Sequence, residues 1–225
     1  MPKSETISRR DFLKIGGTAA IGTAIYTSGV FGLGLGESGT PLIDHREFFS
    51  RMYGLDAEMI KKLIGTALSK GGEYADLFAE YYINNLLRLE EGIIKDASKT
   101  IAAGVGIRVL KGDQTGYAYV EDITFENLNR AALTAAAIAD QPKKVGEIKI
   151  VSSEMKPTLY PIKLPISEVG WDRKTGMIKE AEAKAFEVDK RIIRVNVSFT
   201  DTDRYILLAN SDGVLMTDFQ PMMRF

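Results

Sequence analysis

From Asp56 onward, apolar residues recur at three- and four-residue steps: Met59, Ile60, Leu63, Ile64, Ala67 and Leu68. That spacing predicts an amphipathic helix with one face for a sheet, capped by Asp56 and stopped by Gly71-Gly72. The pattern then turns to strands. Tyr74 to Ile83 is rich in aromatics, and Leu86 to Glu90 and Ile93 to Asp96 read as short strands around a turn at Gly92. Ile101 to Leu110 reads as a further strand, and Lys111-Gly112-Asp113-Gln114 as the hairpin turn into Thr115 to Val120. A second helix begins at the cap Thr124 and carries a narrow face of Leu128, Ala131, Ala132, Ala135, Ala136 and Ala139, ended by Gln141-Pro142. Helix, antiparallel strands, helix is an α+β order, not a doubly wound one.

Four prolines between Pro142 and Pro165 mark a linker over residues 142–171. A second α+β unit then starts at residue 172. Thr175 to Val188 is predicted helical, with Met177, Ala181, Ala185 and Val188 on its apolar side. Ile192 to Thr200 and Tyr205 to Asn210 alternate like paired strands, Ser211-Asp212-Gly213 is a turn, and Val214 to Thr217 begins another strand. The unit is incomplete. It stops at Phe225 on an open sheet edge, which natural domains normally cover, so the chain reads as the front part of something longer. Thr40 to Ser50 reads as a linker or extended lead-in, giving a first domain over residues 40–141.

Before residue 40 the pattern changes again. Ser8-Arg9-Arg10-Asp11-Phe12-Leu13-Lys14 precedes an uncharged run that lasts until Glu37 and is diluted by glycine and threonine. The segment resembles a twin-arginine export signal, with Arg9, Arg10, Phe12 and Leu13 as the targeting residues. It implies an exported, periplasmic or otherwise extracytoplasmic protein. No A-x-A cleavage site follows, so residues 15–36 are also a candidate membrane anchor. Residues 1–39 are therefore set apart from the fold.

Charge and composition then narrow the chemistry. Lysine and arginine total 29 against 30 acidic residues, which leaves no basic surplus for nucleic acid. The chain has no cysteine, which excludes disulfides, thiolate nucleophiles and sulfur-ligated zinc. His45 is its single histidine, and it lacks ligand partners at the usual spacings. Gly104-Val105-Gly106 lacks the third glycine of a dinucleotide loop, where Val109 stands, and is read as glycines easing a twisted strand or a close backbone approach. Asp201-Thr202-Asp203 offers two carboxylates on one side of an extended segment; it is read as a solvated strand end in preference to a calcium site. Glu90 and Glu91 point to opposite faces of a strand and cannot converge on one bond, so they are read as a turn rim. None of these completes an active site.

Three stretches resemble the TldD/PmbA family of zinc metallopeptidases, the group also called modulators of DNA gyrase. They are Tyr74-Ala75-Asp76-Leu77-Phe78-Ala79-Glu80-Tyr81 leading to Leu89–Lys95, then Gly104–Gly112 with Thr115-Gly116-Tyr117-Ala118-Tyr119 and Asp122, and last Arg204–Gly213. The second is closer to the TldD branch than to the PmbA branch, and the likeness runs from about Asp56 to Phe225. The resemblance implies a larger enzyme whose zinc is held by an HExxxH helix and a later cysteine, both expected beyond Phe225. It implies no catalytic, metal or cofactor residue in this chain and no activity from this chain alone. It also implies a homo- or heterodimer with a PmbA/TldE-like subunit, and a peptide or unfolded-protein substrate. The other readings are a non-catalytic PmbA/TldE-like partner, a binding module, or an unrelated exported domain.

Overall fold

The computed structural model describes residues 47–137, 148–152 and 164–225. Arg9, Arg10, Phe12, Leu13, residues 15–36 and His45 lie outside the described residues, as do Ala139 and Gln141-Pro142. In chain order the elements are α1 (Phe48–Tyr53), α2 (Ala57–Leu68), β1 (Tyr74–Glu90), β2 (Ile93–Lys111), β3 (Gln114–Val120) and α3 (Phe125–Ala136). After them come β4 (Val151–Ser152), a 3-10 turn (Ile166–Glu168), α4 (Trp171–Val188), β5 (Asn196–Asn210) and β6 (Val214–Arg224). The strands form one six-stranded sheet in the order β3-β2-β1-β5-β6-β4, antiparallel except for the short β4–β6 pair. The fold is α+β.

All three predicted helices form, the third starting earlier than expected, at Trp171. Asp56 accepts from the Met59 amide at 2.8 Å to start α2, and the Thr124 hydroxyl accepts from the Asn127 amide to start α3. The strands are longer than their sequence breaks suggest. Tyr74–Ile83 and Leu86–Glu90 are one 17-residue strand, and Ile93–Asp96 and Ile101–Leu110 are one 19-residue strand. Asn84-Asn85 and Ala97–Thr100 look like interruptions in sequence, yet each pairs in register with the other strand. The hairpin between them turns on Glu91 (φ 53°) and Gly92 (φ 73°), both left-handed, the geometry a two-residue turn needs to match strand twist.

Residue parity divides the sheet into two faces. The odd positions of β1 (Ala75, Leu77 and Ala79), together with Val105, Ile107 and Val109 of β2 and Leu207 and Ala209 of β5, meet α1, α2 and α3 in one core. Further along the same face, Leu87, Leu89 and Phe199 meet Ile178 of α4 in a second, smaller core. Two helical layers thus share one side of one sheet, each over a different stretch of the long strands.

Four expectations change. Thr40–Ser50 does not end as a plain lead-in: Phe48 and Phe49 are buried in α1, and Phe48 stacks on Tyr205 at 4.1 Å. An aromatic pair next to a polar stretch carried too little periodicity to announce this helix. The buried line of α4 is Lys174, Ile178 and Glu182; Met177, Ala181 and Ala185 are half-buried and Val188 is exposed. Apolar periodicity missed that line because two of its three members are charged. Ile192–Thr200 and Tyr205–Asn210 do not pair with each other, since Asn196 to Asn210 is the single strand β5, flanked by β1 and β6. The strands of the segment after residue 172 therefore extend the first sheet.

Candidate functional site

The fourth change concerns Asp201 and Asp203. Neither is at a solvated strand end; both lie in the middle of β5 on the core face, each 0% exposed. Burying a carboxylate is costly unless it is paired and hydrogen-bonded, and each has found partners from a different element. Asp201 Oδ1 accepts from Asn85 Nδ2 of β1 at 2.7 Å. Its Oδ2 lies 2.8 Å from Nζ of Lys174, itself only 2% exposed, in an ion pair without the direction of an aligned hydrogen bond. The Lys174 ammonium also stands 5.6 Å from the centre of the Trp171 ring. Asp203 Oδ2 accepts from the backbone amide of Ser167 at 2.9 Å and from its hydroxyl, while Oδ1 has no hydrogen-bond partner among the described residues.

These contacts seat the second layer on the sheet. Lys174 ties the start of α4 to β5, and Asp203 ties the 3-10 turn to the same strand. Glu182 Oε1, one turn past Ile178, accepts from the Gly92 amide at 2.9 Å and holds the tip of the β1–β2 hairpin. The turn-rim reading of Glu90 and Glu91 stands: Glu90 bonds Arg194, and Glu91 lies 3.8 Å from it. Apart from Asp203 Oδ1, the buried carboxylate oxygens of Asp201 and Asp203 are engaged by partners within the fold, and those contacts are structural.

The opposite face of the sheet is different. The even positions of β1 (Asp76, Phe78, Glu80, Tyr82) lie beside Arg108, Gly106, Gly104 and Ala102 of β2, and Gly106 lies beside Tyr119 of β3. Among the described residues no helix packs on this face. Gly104 and Gly106 serve a close approach, but of side chains and not of the backbone that the sequence reading named. A Cβ at Gly104 would stand 2.2 Å from the Tyr119 hydroxyl, and one at Gly106 would stand 2.7 Å from that of Tyr117. The hydroxyl ends of the two tyrosines therefore reach over the glycines, each leaning one row along the strand, and the residues remain 62% (Tyr117) and 52% (Tyr119) exposed.

Between these rings and β1 runs a half-open groove of about 230 Å³, lined by Phe78, Glu80, Tyr82, Ala102, Ala103, Gly104, Gly106, Tyr117 and Tyr119. Its one charged lining residue is Glu80, whose Oε2 bonds Arg204 of β5. Arg108 is tied through Nε and Nη2 to Asp76 Oδ2. The Tyr119 hydroxyl is held above its ordinary pKa by burial first, then by Glu121, Tyr117, Glu80 and Tyr82. Sequence inspection found the glycines but not the groove, because its walls alternate with core residues along three strands.

Neither region suits zinc. Among the described residues no group of three or more His, Cys, Asp or Glu side chains is placed to hold a metal ion. Asp201 is taken by Lys174 and Asn85, Asp203 by Ser167, and cysteine is absent from the chain. Among the described residues no helix is long and apolar enough to cross a membrane.

Comparison with known proteins defines the class. Residues 75–139 match the family profile for the PmbA/TldA metallopeptidase domain 1, and residues 164–225 match that for its central domain. The chain belongs to the PmbA/TldD metallopeptidase family and corresponds to its N-terminal part. Among individual relatives, a metalloprotease TldD homolog of Buchnera aphidicola (subspecies Acyrthosiphon pisum) is 32% identical over 153 residues, covering 68% of this chain and 32% of the relative. The chain thus spans about a third of the length of that relative. Two solved structures share the fold. One, described as a modulator of DNA gyrase from Bacteroides thetaiotaomicron, matches with a TM-score of 0.59 at 15% identity over 74% of this chain and 39% of the other. The other, TldE from Thermococcus kodakarensis, matches with a TM-score of 0.56 at 19% identity over 72% of this chain and 37% of the other.

Proposed function

We propose that this chain is the non-catalytic front portion of an exported TldD-like zinc metallopeptidase that acts on peptides or unfolded proteins. The carrying observation is the succession of the first and central family domains, joined to 32% identity with a TldD homolog. On this reading the zinc ligands belong to an HExxxH helix and a cysteine beyond Phe225, and the two histidines and the glutamate of that motif would hold metal and act on its water. Export rests on Arg9, Arg10, Phe12 and Leu13 with the diluted apolar run behind them, and residues 15–36 would serve as an anchor if they are retained.

A PmbA/TldE-like subunit is the proposed partner. The likeness of fold to TldE gives a second reading, in which the chain is itself the front of a non-catalytic partner subunit. The intact mass of the native protein, with zinc measured on the same sample, tests both. A mass well above 24.8 kDa with bound zinc supports the enzyme. A larger mass without zinc supports the partner subunit, and a mass equal to this chain without zinc overturns the enzyme reading.

A further inference from the structure

We propose that the tyrosine groove on the open sheet face seats the cationic side chain, arginine or lysine, of an extended peptide. The inference rests on the peptide-binding reading above and adds where, and by what chemistry, a peptide is recognised. Three features of the groove converge on a cation. Four aromatic side chains, Phe78, Tyr82, Tyr117 and Tyr119, border it, and ring faces attract a cation through their quadrupoles. Gly104 and Gly106 let the hydroxyl ends of two of those rings, Tyr119 and Tyr117, close down over the sheet, so that both rings border the groove while more than half of each residue stays exposed. The charge balance is also negative. The neighbouring cations Arg204 and Arg108 are paired one to one with Glu80, which lines the groove, and with Asp76, so Glu121 beside Tyr119 leaves these five groups with one negative charge in excess.

The shape favours a side chain over a free small cation. The groove is open along one side, and the exposed face continues past it through Phe78 to Leu208 of the next strand, which gives a peptide backbone room to lie across the sheet. Only one Glu80 oxygen, Oε2, is engaged by Arg204, so Oε1 can receive a second cation.

The test is calorimetric titration of the 225-residue chain with a blocked five-residue peptide carrying one central arginine, against the same peptide carrying citrulline, a neutral isostere. Arginine is expected to bind about fivefold more tightly, the size of a cation–π contact at an exposed site. Tyr119→Ala and Glu80→Gln should each weaken the arginine peptide by about fivefold, whereas Arg204→Gln, which frees Glu80, should tighten it. A purely structural role for the Glu80–Arg204 pair would move both variants in the same direction. Equal binding of the arginine and citrulline peptides, or tighter binding of free tetramethylammonium than of the peptide, overturns the proposal. If the longer native protein carries zinc yet shows no arginine preference, the groove inference fails while the family function stands. If the peptide binds as expected but the native protein carries no zinc, the groove stands and the enzyme reading fails.

Discussion

Replacing Lys174 with methionine isolates the contact that joins the two helical layers. The side chain keeps its length and its apolar stem beside Trp171 but loses the ammonium 2.8 Å from Asp201 Oδ2. At that distance the attraction is about 6 kcal/mol at an effective dielectric of 20. Desolvating two ions costs several kcal/mol each, so the intact pair contributes little net stability. Breaking it is another matter. Asp201 stays fully buried with one neutral hydrogen bond, from Asn85, and an uncompensated charge of that kind costs about 3–5 kcal/mol. Against a total stability of about 5–15 kcal/mol that is a large fraction. With a urea slope of about 2 kcal/mol per molar, the midpoint should fall by about 2 M. The double variant Lys174→Met with Asp201→Asn removes both charges, keeps an acceptor for Asn85, and should recover at least half of the loss. A single variant within about 1 kcal/mol of the parent at neutral pH, or a double variant no better than the single, would refute the reasoning.

The small core under α4 should be equally sensitive by a different route: Ile178→Ala empties a fully buried site among Leu87, Leu89 and Phe199 and should cost about 2–5 kcal/mol in urea unfolding, with no pH dependence. Tyr205 gives a pH prediction. Burial first, then Asp203, Glu168 and Tyr81, raise its pKa from 10.0 to about 12. The folded chain therefore keeps a proton that the unfolded chain releases, so this contribution is whole below pH 10.0 and is lost as pH rises toward about 12. Tyr205→Phe keeps the stack on Phe48 and should flatten the fall in stability across that window, measured by urea unfolding with tyrosinate absorbance alongside. Two glycine substitutions should differ in sign. Gly213→Ala forces a Cβ to 2.3 Å from the Lys149 carbonyl oxygen at φ +96° and should cost about 1–3 kcal/mol and speed proteolysis near β4, whereas Gly65→Ala, in open space on α2, should stabilise by about 0.5–1 kcal/mol.

The sequence made legible what depends on local periodicity. Asp56 and Thr124 announce their helices because a capping side chain acts within three residues of itself, and the apolar faces of α2 and α3 repeat often enough to be counted. Strand breaks were misplaced where polar residues are satisfied across the sheet. Asn84 of β1 meets Thr202 of β5 at 2.8 Å, and Asn85 meets Asp201 at 2.7 Å, so a polar pair in each strand reads alone as two ends and together as a ladder. The partner lies 116 or 118 residues away, which no local pattern reports. The same distance hid the buried line of α4, whose Lys174 and Glu182 are inside only because Asp201 and Gly92 wait there.

That arrangement bears on why one sheet face is open. Two helical layers at different heights of the same strands cover Ala75, Leu77, Ala79 and Tyr81 at one end of β1 and Leu87 and Leu89 at the other, and the even positions are relieved of core duty. A sheet face that has no packing role can carry glycines beneath tyrosines, which would weaken a core by leaving it without side chains to interlock. Gly104 and Gly106 therefore make sense only with the rings of Tyr119 and Tyr117 above them, and those rings keep more than half their surface in solvent. Gly104→Ala would raise the Tyr119 ring from the floor. If the groove were merely a way of covering glycines, the substitution would supply the missing Cβ and cost nothing but a local shift. If the ring seated over Gly104 is what binds, it would abolish the arginine preference of the groove while leaving stability in urea unfolding within about 1 kcal/mol of the parent.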